Sequence, residues 1–321
     1  MRIQWAEAAR RQEWNTSCNK KNKQVCAAHN SALAAVVRVR GGAAVPIIDL
    51  RYRPNTRETM SSFLTNPVYA DYVRLTRFAE RQVKPLDDCV AELRALGVVT
   101  AVISGRDIES TFRTNSTNAA VLGMIQAYPD LFVGYYGYDP YKGMAGYRAF
   151  KHAIEHDGFA GASIEPGMSR CSICDEKFYP LYALCCDYDV PVIITAGLAP
   201  DLRGTALEHS NPCAADRVAR DFPELRMLLS HGGYPWVNET LGVCMRHRNV
   251  YLDLSCAFGK PLSDCYQKAA NEYLADKILF SSASPIVSVE AAIGQYRGIL
   301  SSAEASEKIF YSNAIRFLKR V

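Results

Sequence analysis

The chain has 321 residues, 49% of them hydrophobic and 22% charged, and a net charge of +4. That is ample apolar material for one large domain with a core of its own, and too mild a basic excess to point to nucleic acid. No apolar run reaches the roughly 18–20 residues of a membrane helix, and no secretory signal is read at the N-terminus.

In chain order, residues 1–44 stand apart. "RRQEWNTSCNKKNKQVCAAHN" is basic, polar and poor in aliphatics, and a glycine pair closes the stretch in "RVRGGAAV". Composition reads this as a disordered extension ahead of a fold that occupies 45–321. The eleven cysteines are too dispersed for a secreted disulfide framework. Several, such as Cys89, Cys185, Cys186 and Cys244, fall inside apolar helical patterns, where a free thiol packs as a small hydrophobe. The expected compartment is the reducing cytoplasm.

From Val45 onward, short apolar runs alternate with amphipathic segments. The runs are "VPIIDL", "GVVTAVIS", "LFVGYYGY", "GFAGASIE", "VPVIITAG", "LRMLLSHGG", "NVYLDLS" and "KILFSSASP". Between them lie helical stretches such as "DDCVAELRALG", where Val90, Leu93 and Leu96 recur at helical spacing behind an acidic opening. Continuously apolar strands joined by helices belong to a parallel sheet covered by those helices. Eight such units in one chain predict a (β/α)8 TIM-like barrel, and neither G-x-G-x-x-G after the first strand nor a P-loop is present.

In such a barrel the chemistry sits where strands end. That rule selects Asp49, Arg51 and Arg53 after strand one, Ser104 and Arg106 after two, and Asp139 after three. It then selects Glu165, Thr195 and His231 after four, five and six, Asp253 and Ser255 after seven, and Ser282 and Ser284 after eight. Arg51 and Arg53, two like charges at i and i+2, repel each other unless something anionic sits between them. Either they bind an acidic ligand, or they pair with Glu165, Asp253 or Asp49 and fill the pocket. His231 is the natural proton carrier. Tyr138 in "GYYGYDP" is a candidate substrate contact, and Arg106 a third anion contact. "CSIC", Cys171 to Cys174, has metal-ligand spacing but no matching second pair.

The order "IIDLRYR", "YPDLFVGYYGYDP", "GFAGASIEPG", "SHGGYPWVNET", "NVYLDLS" and "DKILFSSASP" resembles amidohydrolase-related proteins, the branch that includes aminocarboxymuconate-semialdehyde decarboxylase. The resemblance implies a metal site: two histidines from D-x-H-x-H on strand one, one from strand five and an aspartate from strand eight. Here those positions read Arg51, Arg53, Thr195 and Ala283. The strand-six histidine, a ligand in some members and a base in others, is His231. Arginine is a donor without a lone pair and cannot ligate a cation. No cofactor is therefore expected, with a single bound divalent metal as the exception.

The resulting expectation is a metal-independent enzyme acting on a small carboxylate-bearing substrate, by decarboxylation or by ester or lactone hydrolysis. Arg51, Arg53, Arg106, Tyr138 and Thr195 would bind substrate, His231 and Glu165 would act as acid and base, and Asp49 and Asp253 would support them. Two alternatives accompany it: an inactive barrel kept for ligand or protein binding, and a metal-dependent hydrolase with an unrecognised ligand set. The resemblance also implies a homodimer; no nucleic-acid or membrane partner is expected.

Overall fold

The apolar runs read from the sequence become eight strands in the computed structural model, which describes residues 45–65, 69–197 and 204–319. They are β1 (Ile47–Tyr52), β2 (Val98–Ser104), β3 (Phe132–Gly137), β4 (Ala162–Ile164), β5 (Val192–Ile194), β6 (Met227–Leu229), β7 (Val250–Asp253) and β8 (Ile278–Leu279). Each pairs in parallel with the next. Backbone hydrogen bonds from Leu50 N to Phe280 O (3.0 Å) and from Ala283 N to Arg51 O (2.9 Å) join the last strand to the first. The structure is a TIM barrel. The proposed extension, 1–44, lies outside the described residues.

Helices alternate with the strands as the amphipathic segments require. A pair precedes the regular pattern, α1 (Arg57–Leu64) and α2 (Ala70–Leu75), and α3 (Leu86–Ala95) then leads into β2. After β2 to β7 come α4 (Asn118–Ala127), α5 (Gly143–His156), α6 (Tyr179–Asp187), α7 (Ala214–Asp221), α8 (Val237–Arg246) and α9 (Asp264–Asn271). The chain closes with α10 (Val289–Ile299), α11 (Ala303–Glu307) and α12 (Asn313–Leu318). Helix α3 shows the logic: Cys89, Val90 and Leu93 are buried, while Asp87 and Asp88 occupy the first turn, where the helix dipole favours negative charge.

Strand residues Ile48, Leu50, Val102, Val133, Tyr135, Ile193, Leu228 and Leu279 form one buried cluster with Ala314 and Phe317 of α12. Helix α12 packs at the ends where strands begin: Asn313 Nδ2 donates to Ile278 O (2.7 Å), and Arg226, just before β6, donates from Nε to Phe317 O (2.7 Å). The opposite, C-terminal ends are left for the site. A second cluster, Met60, Phe63, Tyr69, Tyr72, Phe78, Ile108 and Met168, ties α1 and α2 together as a small cap with a core of its own. The described cysteines are free thiols. Among the described residues no helix is long and apolar enough to cross a membrane.

Candidate active site

The end of β1 is irregular. Asp49 pairs with Ala101 and Tyr52 with Ile103, so β1 spends one residue more than β2 over this stretch. Such bulges re-aim side chains at barrel rims. Arg51 lies within this stretch and Arg53 just past it, and both line the mouth. Arg51, 3% exposed, donates from Nη1 to Ser230 Oγ (3.1 Å) and from Nη2 to Thr195 Oγ1 (2.9 Å). Arg53 donates from Nε to Ser104 O (3.2 Å). Arg106 follows β2 on a loop that lies directly on β3, a close approach that Gly137 permits: a Cβ there would stand 2.5 Å from Arg106 N. Its Nη1 donates to Tyr69 Oη (3.2 Å), and its guanidinium lies over the Phe63 ring at 5.0 Å.

All three guanidinium groups converge on Oε1 of Glu165: Arg51 Nη2 and Arg106 Nε at 3.5 Å, Arg53 Nη2 at 3.8 Å. Burial alone would raise the Glu165 carboxyl, but Arg106, Arg51 and Arg53, with a hydrogen bond from Thr195, outweigh it and hold it at about 2. A carboxylate held that low is a weak proton acceptor, so the geometry favours Glu165 as the anchor of the arginines over the expected general base. Burial, then the neighbouring Arg106 and Arg51, bring Arg53 down to about 9. Among the described residues Glu165 is the one carboxylate paired with all three guanidiniums; Asp49 and Asp253 are buried too but form no ion pair with them.

His231 ends β6 with a left-handed backbone, φ +63°. Burial first, then Arg51, push its imidazole down to about 4, so the ring is neutral at pH 7. Its tautomer follows from its partners. Ser255 Oγ gives its hydrogen to Asp253 Oδ1, which leaves Ser255 Oγ (3.0 Å) and Ser255 O (3.2 Å) to accept from His231 Nδ1. The lone pair is therefore on Nε2. Asp253 also accepts from His231 N at 3.2 Å.

Asp49, the other expected supporter, is fully buried beneath the arginines. Its Oδ1 accepts from Arg51 N and Ser282 N, both at 3.0 Å, and its Oδ2 has no hydrogen-bond partner among the described residues. Burial raises its carboxyl to about 6. Because the folded value lies above the ordinary 3.8, its stabilising contribution is full below pH 3.8 and lost as pH rises through 6. Asp49→Asn, which cannot ionise, is expected to gain on the native protein by up to about 3 kcal/mol between pH 4 and pH 8. Urea midpoints at the two pH values measure this; a difference that does not change with pH would remove the assignment.

A cavity of about 340 Å³ opens over this cluster, lined by Arg51, Arg53, Arg106, Glu165, Thr195 and His231 from the strand ends. The cap supplies its other wall through Phe63, Tyr69 and Tyr72. These aromatic residues, with Cys256, Phe258 and Lys260 beyond β7, were not read from the sequence. The available signal was the unusually long connection between β1 and β2. Tyr72 is 7% exposed and its hydroxyl has no hydrogen-bond partner among the described residues. A donor held that way inside a cavity is a natural ligand contact.

Tyr138 is a correction. It does not line this cavity; it is 2% exposed and packs against Phe150 and Phe178 at 6.3 and 6.5 Å between ring centroids. Strand alternation explains this: Tyr136 shares its side and also meets Phe150, whereas Tyr135 belongs to the inner cluster. Cys171 is buried and Cys174 half-buried, neither in a metal-binding group among the described residues.

The family model described as amidohydrolase matches residues 71–320. The chain belongs to the amidohydrolase family. No curated protein matches this amidohydrolase. Among solved structures it is similar to an uncharacterised TIM-barrel protein from Bordetella bronchiseptica, with 30% identity over 86% of this chain and 99% of that one and a TM-score of 0.70. It also shares its fold with 2,6-dihydroxybenzoate decarboxylase from Rhizobium (18% identity, 86% of this chain and 99% of that one, TM-score 0.61). A third is 5-carboxyvanillate decarboxylase from Novosphingobium aromaticivorans, in complex with manganese (16% identity, 86% and 96%, TM-score 0.64). The family agrees with the amidohydrolase-related resemblance of the sequence, and these structures agree with the expected barrel.

The expectation of no cofactor is overturned by these structures: 5-carboxyvanillate decarboxylase and a dihydroxybenzoic acid decarboxylase from Polaromonas were crystallised with manganese. The residues at the mouth of this amidohydrolase do not fit such a centre. Among the described residues no three His, Cys, Asp or Glu side chains gather to hold a metal ion; the charged neighbours of His231 are Arg51, Asp253 and Glu165, and the guanidinium is able only to donate.

Proposed function

We propose that this amidohydrolase releases carbon dioxide from a small carboxylate-bearing compound. The observation that carries the reading is the convergence of three buried guanidinium groups on a single carboxylate, with a neutral histidine in the same cavity. The positive charge and the forked donors suit a substrate carboxylate, and the aromatic cap residues suit a flat, unsaturated skeleton.

In this reading the substrate carboxylate settles beside Arg51, Arg53 and Arg106, which Glu165 holds in place. Its charge offsets that of Arg51, one of the causes that keep His231 neutral, so His231 takes up a proton from solvent as the substrate binds. The bond between the carboxylate and its carbon breaks, and the electron pair stays on that carbon. His231 Nε2 delivers its proton there, and carbon dioxide leaves. One proton is consumed per turnover, and Asp253 through Ser255 keeps the imidazole oriented.

A specific observation favours a second reading. The neutral ring with its lone pair on Nε2 is also suited to draw a proton from water, which is the need of ester or lactone hydrolysis. The two readings differ in sign with pH. Decarboxylation needs the protonated ring in the complex and weakens as pH rises through its value; hydrolysis needs the neutral ring and weakens as pH falls.

The test is a panel of aromatic and unsaturated carboxylic acids at pH 7, with and without added manganese, followed by carbon dioxide release and product analysis. At least one acid is expected to lose carbon dioxide, and Arg51→Gln to raise its KM by about 10- to 100-fold, the worth of a charge-assisted hydrogen bond. Ester or lactone cleavage without gas release would establish the second reading. No turnover of any acid, ester or lactone would defeat both.

A further inference from the structure

Behind the arginines lies a second, smaller cavity of about 190 Å³. It shares Arg53, Arg106 and Phe63 with the main cavity, and its own walls include Ser104 at the end of β2 and Thr117 and Met124 at α4. Arg53 therefore stands between two compartments. Its Nε is spent on Ser104 O, but its Nη2 is buried without a hydrogen-bond partner among the described residues, 3.8 Å from Glu165. Ser104, 1% exposed, lines the same small cavity, and its Oγ is likewise buried without a partner. Both residues line this cavity, each with a polar atom that is closed off and lacks a hydrogen-bond partner among the described residues, and buried donors in that state are rare in folded proteins.

We propose that the smaller cavity is a second anion site, taking a small oxyanion of the carboxylate class on Arg53 Nη2 and Ser104 Oγ. The charge count supports it. Arg51, Arg53 and Arg106 share one buried carboxylate, and Arg53 is held down by burial and by the other two guanidiniums, so an anion beside it is favoured from either cavity. Glu58, at the rim, is exposed and adds only a screened opposing charge. A cavity of this volume admits acetate or hydrogencarbonate, and benzoate as well, since about 150 Å³ already holds benzene; a benzoate shift that Ser104→Ala and Ala120→Phe leave unchanged places benzoate in the main cavity alone. The inference does not depend on the reaction assigned to the main cavity. Because both anions would act on Arg53, occupancy of one site weakens the other without excluding it.

The experiment uses the full chain and thermal unfolding at constant ionic strength set with chloride. Benzoate is added to saturation to occupy the main cavity, and then acetate or hydrogencarbonate. A second site predicts a further rise in Tm of about 3 °C at an excess of the small anion over its Kd. Ser104→Ala is expected to weaken that rise about tenfold in apparent affinity, and hydrogencarbonate more than acetate, because its hydroxyl needs an acceptor. Ala120→Phe, on the exposed side of α4 where Ala120 lines the cavity, is expected to reduce it by obstruction, with the benzoate shift unchanged in both variants. Absence of a further rise over benzoate, or a rise that neither variant alters, overturns the inference. If benzoate itself gives no shift, the reading of the main cavity loses support, while the response to acetate alone and its sensitivity to Ser104→Ala still decide the second site.

Discussion

Replacing Glu165 by glutamine is expected to lower the stability of the folded chain by about 3–5 kcal/mol, a fall in Tm on the order of 10 °C for a domain of this size. Glutamine keeps the shape of the side chain and one acceptor oxygen, so the change isolates the charge. Glu165 is 3% exposed, and around it lie Arg51, Arg53 and Arg106 at 3.5–3.8 Å. Without the carboxylate, three guanidinium groups face one another in a site largely closed to water. Breaking a buried ion pair from one side leaves uncompensated charge, which is the expensive case. The pH dependence has a definite sign. The folded value of Glu165 is held near 2, below the ordinary 4.5, so its contribution is present above pH 4.5 and disappears as pH falls through 2. The gap between variant and native protein should therefore be widest at neutral pH and shrink in acid. A Tm within about a degree of native at pH 7, measured by calorimetry, would contradict the charge balance described for the site.

His231→Asn is expected to reduce turnover by about 10²- to 10⁴-fold, the usual share of a positioned acid or base, and to leave ligand binding nearly intact. Asparagine is chosen because position 231 has φ +63°, and asparagine tolerates the left-handed region better than most side chains. A loss of activity then reports the imidazole and not a distorted backbone. Binding should survive because the proposed seat of the carboxylate is Arg51, Arg53 and Arg106, not the imidazole. Calorimetric titration with an active acid separates the two effects. In the native protein the same titration, repeated in buffers of different ionisation enthalpy, should register proton uptake as the ligand offsets Arg51 and lets His231 rise from about 4. The amide of the variant cannot take up that proton. Equal turnover in variant and native protein would remove His231 from the chemistry.

The barrel was legible because a parallel sheet covered by helices leaves long apolar runs, and "GVVTAVIS" or "VPVIITAG" can hardly be anything else. The strand-end rule then found Arg51, Arg53, Thr195 and His231 without any coordinates, since position along a strand fixes height in the barrel. What it could not give was rotation about the strand. Tyr138 was at the right height and on the wrong side. The sequence offered Glu165, Asp253 or Asp49 as partners of Arg51 and Arg53, but not which of the three, nor that Arg106 would share Glu165, because that depends on strands far apart in the chain meeting at one point. Phe63, Tyr69 and Tyr72 belong to a cap whose packing is tertiary, and no periodicity in "TNPVYADYVRL" says that a hydroxyl ends up facing a cavity. The expectation of no cofactor failed for a different reason: it argued from missing ligands alone.

Strands β6, β7 and β8 lead into His231, Cys256 and Ala283, which have φ of +63°, +60° and +56°. All three line the main cavity. A residue with a side chain in that conformation costs roughly 1–2 kcal/mol, and a native domain has only about 5–15 kcal/mol in hand. The chain uses glycine where nothing but backbone is wanted, as at Gly197, φ +87°, where a Cβ would stand 2.2 Å from Tyr234 O. A campaign of selection for heat resistance alone would therefore be drawn to glycine at 231, 256 and 283. The hardier barrels it returned would have given up the imidazole, the thiol and the methyl that line the mouth, so thermostability and the proposed chemistry pull in opposite directions at position 231.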